Sequence, residues 1–151
     1  MTALPQAQKK KAKSGIVLGF DYGSKRIGVA VGNLLLGSAR PLRTLANRDP
    51  WAALRTLIRE WQPDELVVGR PLAKGGGRQP ILDETEAFVR ELQQRFKLPV
   101  HAVDERYSSL AAQSELKQQR ASGAIGRPQA GERDAQAAQI ILQDWMRQFY
   151  G

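Results

Sequence analysis

Short apolar runs dominate the first third of the chain, and they predict consecutive β-strands. Residues 16–20 and 27–31 are apolar at nearly every position, as is typical of strands that are covered on both faces. The four or five polar and glycine residues around Gly23 suit a hairpin connection between these two strands. Residues 41–45 are a candidate third strand. This part of the chain therefore predicts strands joined by short connections, which pair in the antiparallel sense.

From residue 49 onward the pattern alternates between helices and strands. Asp49 is predicted to cap a helix that has Pro50 at its first position and apolar residues at helical spacing as far as Trp61. The elements that follow are a buried strand at 66–69, a loop at 70–80, a helix at 81–96, a strand at 99–103, a helix from residue 110, a loop at 121–131 and a helix at 132–150. This order predicts an α/β fold with a mixed sheet and helices on its faces.

Length and charge indicate one domain that binds a polyanion. A chain of 151 residues, 42% hydrophobic and 25% charged, is the size of a single globular domain. Its net charge of +8 favours a partner such as nucleic acid. Residues 1–14 are basic, polar and without periodicity, so we expect a disordered arm followed by one domain over residues 15–151. The arm either adds affinity for phosphates or only improves solubility.

Several classes of protein are disfavoured by what the chain lacks. It contains no cysteine, which excludes disulfides, thiolate metal sites and a cysteine nucleophile, and fits a reducing compartment. No apolar run approaches ~20 residues, so no membrane span is predicted. The charges near the N-terminus are not followed by an apolar segment, so no secretory signal is predicted either. We expect a cytoplasmic protein without a membrane partner.

Three acidic residues stand where the pattern is otherwise apolar. Asp21 ends the first strand, Glu105 follows Asp104 at the end of the strand at 99–103, and Asp134 extends the apolar stripe of the last helix by one turn. Buried carboxylates are rare unless they are paired or bind a metal. Two like charges ~4 Å apart repel by roughly 4 kcal/mol at an effective dielectric of 20, so a convergence of all three requires a cation among them.

Each carboxylate alone also has a purely structural explanation. Asp21 can cap a turn, Glu105 can pair with Arg106 or Arg26, and Asp134 is favoured by the helix dipole. If the carboxylates do converge, their oxygen atoms favour a hard divalent ion, Mg²⁺ or Mn²⁺, over zinc. Two such ions sharing a carboxylate would support hydrolysis of a phosphodiester.

Four segments of the chain resemble the YqgF family, whose bacterial members are described as Holliday junction resolvases and as pre-16S rRNA nucleases. In the family's order these segments are GFDYGSKRIGVAV at 19–31, VVGRPL at 67–72, VDERYSS at 103–109 and DAQAAQIIL at 134–142. The resemblance covers about residues 15–149. It implies a ribonuclease H-like fold, in which a five-stranded mixed sheet has three antiparallel strands followed by two parallel strands, with helices on both faces.

The resemblance also implies roles for the acidic residues. Asp21, Glu105 and Asp134 correspond to the catalytic carboxylates and metal ligands of the family. Asp104 is then a further or alternative metal ligand. Candidate contacts with the phosphates of a nucleic acid are five basic residues: Lys25, Arg26, Arg70, Arg106 and Arg133.

The function that these residues favour is a metal-dependent nuclease, a hydrolase acting on ester bonds with Mg²⁺ or Mn²⁺ as cofactor. The expected substrate is precursor ribosomal RNA, at the 5′ end of pre-16S rRNA, and a branched DNA junction is the other option. Symmetric cutting of a junction normally needs a homodimer, whereas a monomer can trim RNA. Two alternatives remain: an RNA-binding ribosome assembly factor without catalysis and an actin-like phosphate-binding ATPase module.

Overall fold

A five-stranded mixed sheet organises the chain in the computed structural model, which describes residues 14–71, 79–104 and 130–149. Its elements are β1 (Ile16–Tyr22), β2 (Arg26–Asn33), β3 (Ser38–Ala46), α1 (Trp51–Trp61), β4 (Glu65–Arg70), α2 (Pro80–Phe96), β5 (Val100–Asp104) and α3 (Ala130–Phe149). The spatial order is β3-β2-β1-β4-β5. The first three strands pair antiparallel, and β4 and β5 join them in parallel. The predicted mixed sheet is confirmed.

Helices cover both faces of this sheet, because successive residues of each strand point to opposite sides. On β1, Leu18 and Phe20 belong to the apolar core under α1 and α2. Val17 belongs to the core under α3, and Gly19 lies against the side chain of Leu142 from that helix. The strand pattern therefore defines an α1/α2 face and an α3 face, as the sequence predicts.

Helix α3 packs close to the backbone of the sheet at three glycines. A Cβ atom placed on Gly19 or Gly32 would lie 3.1 or 3.0 Å from side-chain atoms of Leu142. A Cβ atom on Gly28 would instead overlap the backbone carbonyl oxygen of Asp134. The first described turns of α3 thus rest directly on β2, and only a residue without a side chain fits beneath them.

The start of α1 differs from the prediction. Pro50 occupies the N-cap position, with φ −80° and ψ 1°, and no side chain caps the helix. The carbonyl oxygen of Pro50 accepts the first helical hydrogen bond, from the backbone N–H of Leu54 at 2.9 Å. Asp49 lies one residue too early and has φ 50°. The prediction that Asp49 caps this helix is therefore wrong.

Two strands extend beyond their apolar runs. Strand β1 continues through Asp21 to Tyr22, so Asp21 lies within the ladder. Strand β3 pairs with β2 over its whole length, with a register shift between Val29 and Ala30. Pro41 lies beside this shift on an edge strand, where the missing N–H is tolerated. Polar residues at the ends of both strands were not recognisable as strand residues from hydropathy.

The described residues begin at Ser14, one residue before the predicted start of the domain. The backbone N–H of Ser14 donates to Asp64 Oδ1 at 3.0 Å, and its hydroxyl donates to the carbonyl oxygen of Gln62 at 2.8 Å. The rest of the predicted arm, most of the predicted loop at 70–80 and the predicted helix from residue 110 lie outside the described residues. No helix in the described ranges has both the length and the apolar character needed to cross a membrane.

Candidate active site

Asp21 lies between two glycines of the neighbouring strands. Its register partner on β2 is Gly28, and its partner on β4 is Gly69. Because residues two apart share a face, Asp21 points to the α3 face together with Gly19. Because Gly28 has no side chain, the backbone of α3 comes close to β2 at the position directly beside the partly buried Asp21.

Asp134 reaches the same point of the α3 face from the opposite layer. Its backbone carbonyl packs on Gly28, the residue directly across the ladder from Asp21. Cα atoms of such antiparallel partners are ~4.5–5.5 Å apart. The close contact between α3 and β2 thus brings Asp21 and Asp134 together, although 112 residues of sequence lie between them.

The side chain of Arg26 places a positive charge beside Asp134. The Nε–H of Arg26 donates to Asp134 Oδ2 at 2.6 Å. Arg26 is on the α3 face two residues before Gly28, and its side chain is 47% exposed, against 26% for Asp134. The sequence predicts that converging carboxylates require a cation, and the guanidinium of Arg26 supplies at least one positive charge.

Asn47 fixes the turn that carries the basic residues, and no motif in the sequence pointed to it. Its side-chain amide donates to the carbonyl oxygen of Gly23 at 2.8 Å. Its backbone N–H donates to the carbonyl oxygen of Lys25 at 2.9 Å. These two bonds tie the β1–β2 turn to the end of β3. Lys25 is exposed in this turn, beside Arg26.

A second charged group lies on the other face of the sheet. Arg70 Nη1 is 3.2 Å from Glu86 Oε2 on α2, and Arg70 Nε is 3.7 Å from Asp104 Oδ1 on the neighbouring strand. Val103 packs with the α3 core and Ala102 with the other core, so alternation places Asp104 on the α1/α2 face. The structure therefore separates Asp104 and Arg70 from the pair of carboxylates on the α3 face.

The described residues contain part of the predicted metal site. No three of the described His, Asp and Glu residues are grouped closely enough to hold a metal ion. The third predicted ligand, Glu105, and the predicted phosphate contact Arg106 lie outside the described residues. Asp21 and Asp134 supply only oxygen donors, which fit a hard divalent ion. Arg133 is exposed on α3 next to Asp134.

Comparison with known sequences identifies close relatives over nearly the whole chain. The profile of the RuvX family, described as Holliday junction resolvase, matches residues 15–148. The chain is 50% identical over 134 residues to a protein of Methylobacillus flagellatus named "Putative pre-16S rRNA nuclease", a match that covers 87% of this chain and 90% of the relative. A protein of Xanthomonas axonopodis with the same name is 44% identical over 135 residues, covering 87% of each chain.

Solved structures agree with the fold. RuvC of T. thermophilus, in complex with a Holliday junction substrate, aligns with a TM-score of 0.57 at 17% identity, covering 89% of this chain and 96% of that one. The yeast mitochondrial Holliday junction resolvase Ydc2 aligns with a TM-score of 0.54 at 12% identity, covering 87% and 77%. At these identities the likeness concerns the fold alone, and it confirms the predicted ribonuclease H-like architecture.

Proposed function

The chain belongs to the RuvX family of Holliday junction resolvases, and from this membership we propose that it processes the 5′ end of precursor 16S ribosomal RNA. The broader activity follows from the family and its close relatives: the protein is a nuclease, which hydrolyses phosphodiester bonds of nucleic acid. The name shared by the two relatives supports RNA as the substrate. The description of the family supports a branched DNA junction as the second candidate.

The observation that carries this proposal is the meeting of Asp21 and Asp134 on the α3 face. Two partly buried carboxylates beside a strand position flanked by glycines have no role in packing the core. Nearby positive charge comes from Arg26 and from the exposed Lys25 and Arg133. An acidic centre with basic residues around it suits metal-assisted hydrolysis of a phosphate backbone.

We propose that Asp21 and Asp134 hold a divalent ion, Mg²⁺ or Mn²⁺, together with Glu105. When bound, such an ion supplies Lewis-acid stabilisation of the negative charge that develops on the phosphate. Lys25 and Arg133 would orient the backbone of the substrate by contacts with neighbouring phosphates. The fold holds these groups in place through the contact of α3 with Gly28 and through the bonds of Asn47.

A cleavage panel tests the proposed function. The panel contains four labelled substrates: a pre-16S rRNA fragment, single-stranded RNA, duplex DNA and a four-way junction. Each substrate is incubated with Mg²⁺ or Mn²⁺ and with one of three proteins: wild type, Asp21→Asn or Asp83→Asn. The Asp83→Asn control makes the same chemical change at an exposed position of α2. We expect cleavage of the pre-16S fragment, a loss of about 100-fold or more in Asp21→Asn and wild-type cleavage in the control.

Other outcomes would point to the alternatives. Cleavage by Asp21→Asn at the wild-type rate would refute the site. Tight RNA binding without cleavage in either metal would favour a ribosome assembly factor that lacks catalysis. ATP hydrolysis without cleavage of any nucleic acid would favour an actin-like ATPase module.

The two candidate substrates call for different oligomeric states of the protein but for the same cellular compartment. We propose that the protein acts on RNA as a monomer in the cytoplasm, where ribosomal RNA is transcribed and processed. A junction has two symmetric strands to cut, so its resolution would call for a homodimer. Sedimentation of the protein with each substrate distinguishes these assemblies.

A further inference from the structure

The ion pair between Arg26 and Asp134 uses a carboxylate that the proposed nuclease also needs as a metal ligand. Arg26 Nε lies 2.6 Å from Asp134 Oδ2, a short charge-assisted hydrogen bond. A guanidinium and a divalent ion repel each other, so they compete for the same carboxylate when both lie within a few ångströms. In the structure, Arg26 is the partner of this carboxylate.

We propose that Arg26 exchanges partners during the reaction cycle. It neutralises Asp134 in the metal-free protein, and it moves to a phosphate of the nucleic acid when Asp134 ligates a divalent ion. This inference rests on the proposed function, because it assigns a second role to one residue of the same site. The exchange of Arg26 between Asp134 and a phosphate then couples binding of the metal to binding of the substrate.

The backbone around the pair is fixed, so the exchange requires only a side-chain movement. Helix α3 cannot approach β2 more closely, because its backbone already packs on Gly28. The turn before Arg26 is held by the two bonds of Asn47. By contrast, the Arg26 side chain is 47% exposed, so its guanidinium can swing into solvent. The movable part of the site is thus the guanidinium.

The chemistry of the guanidinium suits both partners. Its planar fork of N–H donors matches the oxygens of a carboxylate and equally those of a phosphate. Arg26 is the first residue of β2, next to the exposed Lys25, so a released side chain stays beside the same surface. Exposed ion pairs contribute little to the free energy of unfolding. Stabilisation of the fold alone therefore does not explain this pair.

Titration of Mn²⁺ by calorimetry, without nucleic acid, tests the competition. The proteins are wild type, Arg26→Gln and Lys25→Gln, the last of which removes the same charge from the neighbouring residue. We expect Mn²⁺ to bind Arg26→Gln about fivefold more tightly than Lys25→Gln, because only the first variant frees Asp134. Equal affinities in the two variants, or weaker binding to Arg26→Gln, would overturn the exchange.

A second measurement follows the released guanidinium in the metal-free protein. Asp134→Asn is introduced into wild type, Arg26→Gln and Lys25→Gln, and binding of single-stranded RNA is measured as a function of salt. Freed Arg26 should add one phosphate contact, which steepens the slope of log affinity against log salt by ~0.7 in the wild-type and Lys25→Gln backgrounds. The same steepening in the Arg26→Gln background would show that Arg26 is not the group released.

These measurements distinguish failure of the proposed exchange from failure of the proposed nuclease function. A wild-type protein that binds no Mn²⁺ would overturn both the proposed metal and the exchange. A wild-type protein that cleaves RNA and binds Mn²⁺ with the affinity of Arg26→Gln would overturn the exchange alone.

Discussion

Replacing Gly28 with alanine tests whether the contact between β2 and α3 positions the two carboxylates. The added Cβ atom would overlap the backbone carbonyl oxygen of Asp134. A backbone atom within a helix cannot rotate away as a side chain can, so α3 must withdraw from the sheet at this end. The substitution therefore moves Asp134 away from Asp21 without altering either carboxylate.

The expected magnitude follows from the packing. Overpacking of this kind costs about 1–3 kcal/mol of unfolding free energy. The loss of backbone freedom in the unfolded chain offsets about 0.4–1 kcal/mol of that cost. For a chain of 151 residues the net change corresponds to a fall in Tm of a few degrees, on the order of 2–8 °C. A displacement of ~1 Å at a catalytic group can reduce the rate by roughly 100-fold, so activity should suffer more than stability.

Gly32→Ala is the matched control, because Gly32 lies on the same strand and face and under the same helix. Its Cβ atom would meet the tip of Leu142 at 3.0 Å and Met146 Sδ at 3.3 Å, both of which belong to flexible side chains. We expect a smaller change in Tm and retained activity for this variant. Thermal unfolding with and without Mn²⁺, together with cleavage of the preferred substrate, is measured for all three proteins.

The Mn²⁺-dependent rise in Tm is the decisive readout. Gly28→Ala should lose this rise, whereas Gly32→Ala should keep it. If Gly28→Ala unfolded at the wild-type temperature and kept the rise, the backbone contact would not hold the two carboxylates together. Equal losses in both variants would indicate general damage to the packing of α3 and would refute a specific role for Gly28.

Two further changes to the chain probe the roles of Asp104 and of the N-terminal arm. Asp104→Asn should retain the Mn²⁺-dependent rise in Tm, because Asp104 lies on the α1/α2 face beside Arg70; loss of the rise in a thermal unfolding experiment would place Asp104 among the metal ligands. Deletion of residues 1–13 should reduce the slope of log RNA affinity against log salt by ~0.7 for each phosphate that the arm binds, and an unchanged slope in fluorescence anisotropy would make the arm a solubilising segment only.

The order and type of the described elements could be predicted from local patterns, because four of the five strands of the central sheet contain a distinct apolar run. The residues at which the elements begin and end could not be predicted in this way. Strand β3 has Arg40, Pro41 and Arg43 among its apolar residues, and its length depends on pairing with β2. The start of α1 depends on which carbonyl first accepts a helical hydrogen bond, and Pro50 rather than Asp49 provides it.

The positions of Asp21 and Asp134 on the α3 face could be predicted from local patterns, whereas the ion-pair partner of Asp134 could not. Helical spacing was sufficient to direct Asp134 toward the sheet, and the end of an apolar run was sufficient to identify Asp21. The bond between Arg26 and Asp134 joins residues 108 positions apart, and nothing in local sequence specifies such a pair. The face of the sheet on which Asp104 lies follows from strand alternation, because Val103 and His101 both contact the α3 side. This assignment requires the position of α3, which the sequence alone does not give.

The dependence of the site on α3 has a consequence for how the protein is made. Asp21 and Arg26 leave the ribosome well before Asp134 and the helix that covers their face. A chain that stops before residue 130 would lack Asp134 and leave the apolar residues Val17, Ala30 and Val67 uncovered by α3. Truncated products are therefore expected to be inactive and prone to aggregation. A nuclease built in this way is expected to acquire its activity only after α3 has been translated.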